Sequence, residues 1–222
     1  MLFVLKTGCQ WRSLPHDYPK WSNVYSHFIR WGRKYSEEEP SFLEICMQKL
    51  VVDVREADGR KEKTSFCIID AQSVKNTDTA EEKGFDGGKL VSGIKRHIAV
   101  DNQGLPHALA VTTADVTDRN GALIAMGKAK EKLSEVKNVS ADGGYSGEPF
   151  ALSIKELIGA SVEIVKRNEL HKFVVIPNRW VVERTFAWLE KCRRLWKNCE
   201  RKIHNSLQMV IIAFIAILIK RL

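Results

Sequence analysis

The chain has 222 residues, 44% of them hydrophobic and 28% charged, and 35 Lys and Arg against 27 Asp and Glu give a net charge of +8. That length and balance suit a globular protein with one medium domain and a smaller one, and exclude a disordered or collagen-like chain. The positive excess tilts the choice of partner toward a polyanion, nucleic acid before membrane.

At the start, Met1 to Leu5 is apolar but lacks the basic flank and cleavage pattern of a signal peptide. Ser22 is placed to cap a helix carrying Val24, Tyr25, Phe28 and Trp31 at helical spacing. Ser41 followed by Glu44 forms a capping box ahead of Ile45, Leu50 and Val51. Trp11-Arg12, Lys20-Trp21 and Arg30-Trp31 interleave aromatic and basic residues, a mixture suited to DNA contact, although the same tryptophans at helical sites read more readily as core. The polar run 58–63 (DGRKEK) marks a seam. It divides a small helical region, residues 1–60, from a mixed region, residues 61–222.

Beyond the seam, 65–70 (SFCIID) is a short apolar run ending in an acid. His97 to Val100 and His107 to Thr113 read as two strands joined by the Asn102-Gln103-Gly104 turn. A helix over 121–133, a strand over 136–142, a helix over 148–158, a strand over 162–166 and a long helix over 180–197 complete this part. Asp115 and Asp118 read as turn and helix-cap residues. Met209 to Ile219 is apolar for eleven residues, short of the roughly 20 that span a bilayer, and reads as a buried terminal helix. Strands alternating with helices predict an α/β protein with parallel pairs in a helix-covered sheet. The five cysteines include no C-x-x-C pair, which argues against a disulfide framework or zinc site and for reduced thiols in a cytoplasmic protein.

Asp70 and Asp142 each end an apolar strand, where open sheets bind ligands. Glu183, in RWVVERTF, lies on a helix whose packing stripe runs through Val181, Thr185, Trp188, Cys192 and Leu195. Three carboxylates from separate elements are what a site for two Mg²⁺ or Mn²⁺ ions needs, since hard cations take oxygen ligands. Such a pair of ions activates an attacking oxygen and stabilises a leaving one at a phosphodiester. Singly, each strand acid also reads as a turn former, and Glu183 as a helix acid paired with Arg179. The ordered triple carries the argument.

CIIDAQSVKNT around Asp70, SADGGYSG around Asp142 and RWVVERTFAWLEKCRRL around Glu183 resemble the three acid motifs of DDE transposases. The match is to the bacterial family called insertion sequence five, and it extends to TGCQWRSLPHDYPKW near the start. The resemblance implies a ribonuclease-H-like catalytic domain, a mixed sheet flanked by helices. It also implies cleavage of double-stranded DNA at terminal inverted repeats, joining to target DNA, and a homo-oligomer working on the nucleoid, with no membrane. The family's extended signature sets a Tyr and a Lys around the third acid, where this chain has Ile176 and Glu190. Lys191 follows directly, about 100° further round a helix. Relatives carry more residues before LKTGCQWR, as a truncated or frame-split copy would lack.

Lys95 and Arg96, entering a strand, and Arg179, Arg184, Lys191, Arg193 and Arg194, around the Glu183 helix, are the candidate DNA contacts. His97 reads as a packed strand residue. Two rival readings are a nuclease that only hydrolyses, and an inactive remnant that only binds DNA.

Overall fold

The computed structural model describes residues 1–36, 39–165 and 179–222, without the side chain of Arg179. Seven helices are seen among these residues: α1 (Leu2–Thr7), α2 (Trp21–Gly32), α3 (Phe42–Ala57), α4 (Asp118–Lys128), α5 (Glu148–Ile158), α6 (Arg179–Glu190) and α7 (Ile203–Leu218). The strands are β1 (Phe66–Lys75), β2 (Gly84–Asp86), β3 (Val91–Val100), β4 (Pro106–Thr113), β5 (Asn138–Ala141) and β6 (Ser161–Ile164). They form one mixed sheet in the order β2-β3-β1-β5-β6, and β4 also pairs with β3. The β1–β3 and β3–β4 pairs are antiparallel, while β1–β5 and β5–β6 are parallel.

Period-two alternation along β1 divides the core. Cys67 and Ile69 face a cluster with Ala125, Met126 and Leu133, on the side of α4 and α5. Ile68 and Val74 face the other cluster, which holds Phe28, Met47, Val181, Leu189 and Phe214 from α2, α3, α6 and α7. The N-terminal helices thus share their core with the sheet and α7. Asp70 has the parity of Ile68, so it belongs to the α6 face.

Local signals explain several boundaries. The capping box is present: Glu44 N–H donates to Ser41 Oγ at 3.3 Å, and Ser41 N–H donates to Glu44 Oε2 at 2.7 Å. At the turn between β3 and β4, Gly104 has φ 81°, and a Cβ there would lie 2.5 Å from Thr185 Oγ1, so α6 seats on a position only glycine fits. α7 is buried along most of its length, as its apolar run predicts. Among the described residues no helix is long and apolar enough to cross a membrane.

Several expectations need correction. Ser22 lies inside α2, whose cap position is Lys20, and β5 covers 138–141. β1 runs on to Lys75 and β3 begins at Val91, because both extend antiparallel to each other past Asp70. α4 begins at Asp118, three residues before the expected start, with Thr117 and not Asp118 as its cap: Thr117 Oγ1 accepts from Asn120 N–H at 3.2 Å. β6 covers 161–164. The helix expected over 180–197 stops at Glu190. There the Trp196 indole N–H donates to the Glu190 carbonyl, and Cys192 is extended.

Candidate active site

The two strand acids are set side by side by register. β1 and β5 pair Phe66 with Asn138, Cys67 with Val139 and Ile68 with Ser140, an offset of 138 − 66 = 72. Asp70 and Asp142 differ by the same 142 − 70 = 72. Neighbouring strands lie about 4.8 Å apart, so continuing this register brings the two carboxylates to one edge. Asp142 backbone stays extended (φ −82°, ψ 176°), keeping it on the Ser140 side, which is also the α6 side. Asp70, Asp142 and Val182 of α6 line one small cleft there.

Local hydrogen bonds orient both acids. Asp142 Oδ1 accepts from Gly144 N–H at 2.9 Å, and Arg119 Nε donates to the Gly144 carbonyl at 3.0 Å, tying the turn to α4. Asp70 Oδ1 accepts from the Ala71 N–H at 2.7 Å. Glu183 follows Val182 on α6 and is exposed; it does not line the cleft. Among the described residues no three His, Cys, Asp or Glu side chains are gathered closely enough to hold a metal ion. The strand acids are therefore brought together, and Glu183 stands on the wall beside them.

Sequence reasoning missed Tyr145. Its ring is 1% exposed, and its hydroxyl has no hydrogen-bond partner among the described residues. Burial, and then the charges of Asp70, Asp118 and Asp142, push its pKa well above the usual phenol value, so it stays protonated. A buried O–H with no partner among the described residues, beside two acids, leaves a place for a further polar group. That, with hard oxygen donors on two strands, fits Mg²⁺ or Mn²⁺. The only sequence signal for it was the aromatic residue closing Asp-Gly-Gly-Tyr.

The basic residues divide sharply. Lys95, 5% exposed, points inward: Nζ lies 2.8 Å from Asp118 Oδ1 and 3.2 Å from Asp86 Oδ2, and donates to the Val116 carbonyl at 2.9 Å. Burial works against its charge, but the two acids outweigh that and raise its pKa. Arg96, 2% exposed, donates to Gln72 Oε1 at 3.2 Å and to the Leu195 carbonyl at 2.8 Å, and burial draws its pKa down to about 10. Neither presents charge to a DNA backbone, and that expectation is corrected. Arg194 is likewise buried, 2.8 Å from Glu200. Arg184 is layered between Trp180 (4.4 Å) and Trp188 (4.6 Å) and donates to the Gln103 carbonyl at 3.0 Å, so it fastens α6 to the β3–β4 turn. Lys191 and Arg193 are exposed, past the end of α6. Ile176 and the Arg179 side chain lie outside the described residues.

His97 is a packed strand residue, as expected, with Nε2 3.0 Å from Thr112 Oγ1. Burial chiefly, opposed by Asp118 and aided by Lys95 and Lys89, lowers its pKa to about 4. An unfolded His titrates near 6.5, so between about 4 and 6.5 the unfolded chain holds the extra proton. This group's contribution is complete above that window and is lost as pH falls through it, by about 3 kcal/mol. Urea unfolding from pH 7 to 4 should show that loss, and His97→Gln should flatten it. An equally steep slope in the variant would refute the assignment.

Residues 61–219 match the family described as "Transposase DDE domain", and residues 1–36 match "Putative transposase of IS4/5 family". The chain belongs to the IS4/IS5-like DDE transposases. A relative from Burkholderia cepacia, "Putative transposase for insertion sequence element IS402", is 35% identical over 123 residues. That stretch covers 51% of this chain and 58% of the relative, so the chain spans little more than half of that protein's length. In this chain, four strands paired antiparallel, then two added in parallel, with helices on both faces, are the ribonuclease-H-like α/β arrangement the resemblance implied.

Proposed function

We propose that this transposase cuts double-stranded DNA at the terminal inverted repeats of its element and joins the freed end to target DNA. The observation that carries this reading is the shared offset of 72 between the β1–β5 register and the two acids, within a chain of this family. Asp70, Asp142 and Glu183 are the proposed catalytic residues, and their carboxylates would hold the two divalent ions. Bound divalent magnesium or manganese supplies Lewis-acid polarisation of the phosphoryl oxygens and lowers the pKa of water. The chain's part is to fix the carboxylates: the Gly144 N–H aims Asp142, and the β1 ladder holds Asp70 level with it. Tyr145, kept protonated, holds a proton beside the two acids. Arg179, Lys191 and Arg193, with residues 1–60, are proposed to contact the DNA backbone, and two element ends call for a homo-oligomer.

The test is cleavage and joining of a labelled duplex carrying the element's own ends, with Mg²⁺ or Mn²⁺. Joining of a pre-cut end separates a transposase from a nuclease that only hydrolyses. Glu183→Gln keeps shape and removes the charge, and should lower both steps by about a thousandfold, roughly 4 kcal/mol of barrier. Full activity in that variant would remove Glu183 from the site. Binding without cleavage in the unaltered protein would mean a DNA-binding remnant.

A further inference from the structure

β1 does not end at its acid. Gln72 and Val74 lie on the same face beyond Asp70, and from Gln72 a groove of about 630 Å³ runs along the strand toward the segment that follows α6. At about 3.4 Å per residue, Gln72 is roughly 7 Å from Asp70 along the strand. The groove is the size of a small-ligand pocket.

Its far wall is Trp196, 61% exposed. The ring is anchored at its indole N–H, engaged by the Glu190 carbonyl, although it faces solvent. Two residues on, Asn198 is stitched to the end of β1: its N–H donates to the Lys75 carbonyl at 2.9 Å, its side chain to Asn76 Oδ1 at 2.9 Å, and its carbonyl accepts from Thr77 N–H at 2.9 Å. An aromatic surface ordered in advance loses little entropy on binding.

The charge around it favours a polyanion. Arg193 lies 5.8 Å from the Trp196 ring centroid, and Lys75 and Lys197 are exposed at the rim. The one acid in the groove, Glu190, accepts from Gln72 Nε2 at 2.8 Å, and Gln72 in turn accepts from Arg96, so its charge is partly offset. A flat aromatic ring with cations beside it is how proteins hold unpaired nucleotides, since every base has a π face.

We propose that this groove takes an unpaired nucleotide of the DNA strand leaving the acid edge, its base stacked on Trp196 and its phosphates met by Lys75 and Lys197. The site rests on the reading of that edge as a DNA-cutting centre, so it is tested by binding alone, without metal. The probe is a fluorescein-labelled ten-nucleotide oligothymidylate, read by anisotropy in EDTA beside a duplex of equal length. Trp196→Ala should weaken single-strand binding about tenfold and leave duplex binding within about twofold. Trp196→Phe keeps a stacking ring but loses the N–H that closes α6, and should bind the single strand within about threefold of the unaltered protein. If Trp196 serves only to close the helix, Phe and Ala will fall together, and the proposal fails. It fails equally if Ala binds the single strand normally, or if the unaltered protein does not bind it. Urea unfolding of both variants shows that each is folded. A lost Trp196 effect with intact metal-dependent cleavage would remove this site alone; the reverse would remove the cutting centre and keep the site.

Discussion

Asp142→Asn is expected to abolish metal-dependent cleavage, by at least about a thousandfold, while leaving the unfolding midpoint close to that of the unaltered protein. The two effects separate because, on the proposed reading, Asp142 would serve two ends. Its Oδ1 caps the turn that follows β5, accepting the Gly144 N–H at 2.9 Å. An Asn side-chain oxygen caps about as well as that of Asp. The negative charge is what a hard cation needs, and an amide lacks it. Asp142→Ala loses both and should also cost about 1 kcal/mol of stability, the usual worth of a cap. Asp70→Ala should match the loss of cleavage, since its carboxylate stands level with Asp142 by register. Measured with Mn²⁺ as well as Mg²⁺, more than a tenth of the original rate in Asp142→Asn would exclude that carboxylate from metal binding.

What the sequence made legible follows from where each signal resides. The two strand acids were legible as candidates because a β-strand announces itself by an apolar run, and a run that ends in Asp locates the edge. Their pairing was implicit in the spacing of 72, but only the β1–β5 register gives that number meaning. The end of α6 was not legible: KCRRLWK carries no Gly or Pro, and its helix propensity continues. Tertiary contacts stop the helix instead, as Leu195 turns into the core and Arg194 turns to Glu200. β2 was invisible for a related reason. Gly84–Asp86 has no apolar pattern and is a strand only because Val91–Gly93 pairs with it. Lys95 and Arg96 misled because a basic pair at a strand entrance reads as surface. The partners that bury Lys95 are Asp86 and Asp118, nine positions before it and 23 after, and neither carries a mark of that role. Ser73 donates to Asp86 Oδ2 at 2.6 Å and holds that carboxyl down to about 2, so a polar residue of the AQSVK stretch has a partner while the ladder with β3 extends β1.

A change far from the acids should have the largest effect on stability. Asp101→Ala is expected to destabilise the fold by about 3–5 kcal/mol, because it strands a buried cation. Asp101 and Arg55 are both almost wholly buried and form an ion pair. Asp101 Oδ2 also lies 3.4 Å from His107 Nε2, and its Oδ1 accepts the Gln103 and Leu105 N–H groups at 2.9 and 3.1 Å. Arg55 in turn donates to the carbonyls of Lys61, Glu62 and Lys63, so one pair joins α3, the polar seam and the β3–β4 turn. Burial would raise the Asp101 carboxyl, but the His107 contact and the two backbone donors outweigh it and hold its pKa below the usual value. A depressed carboxyl contributes stability above about pH 4, lost as pH falls through its folded pKa. Asp101→Asn keeps the Oδ1 acceptor of the turn and should lose less than Ala, although Arg55 is still left without its counter-charge. Of a total stability of about 5–15 kcal/mol, the Ala loss is large enough to appear as a markedly lower urea midpoint. Val100, next to Asp101, pairs with Ile68, whereas Asp70 pairs with Ile98, so Asp101 lies toward the end of β1 away from the acid edge. Cleavage per folded molecule should therefore be unchanged, which sets this variant apart from Asp142→Asn. An unaltered urea midpoint in Asp101→Ala would mean that water reaches Arg55 and that the pair does not hold the seam to the sheet.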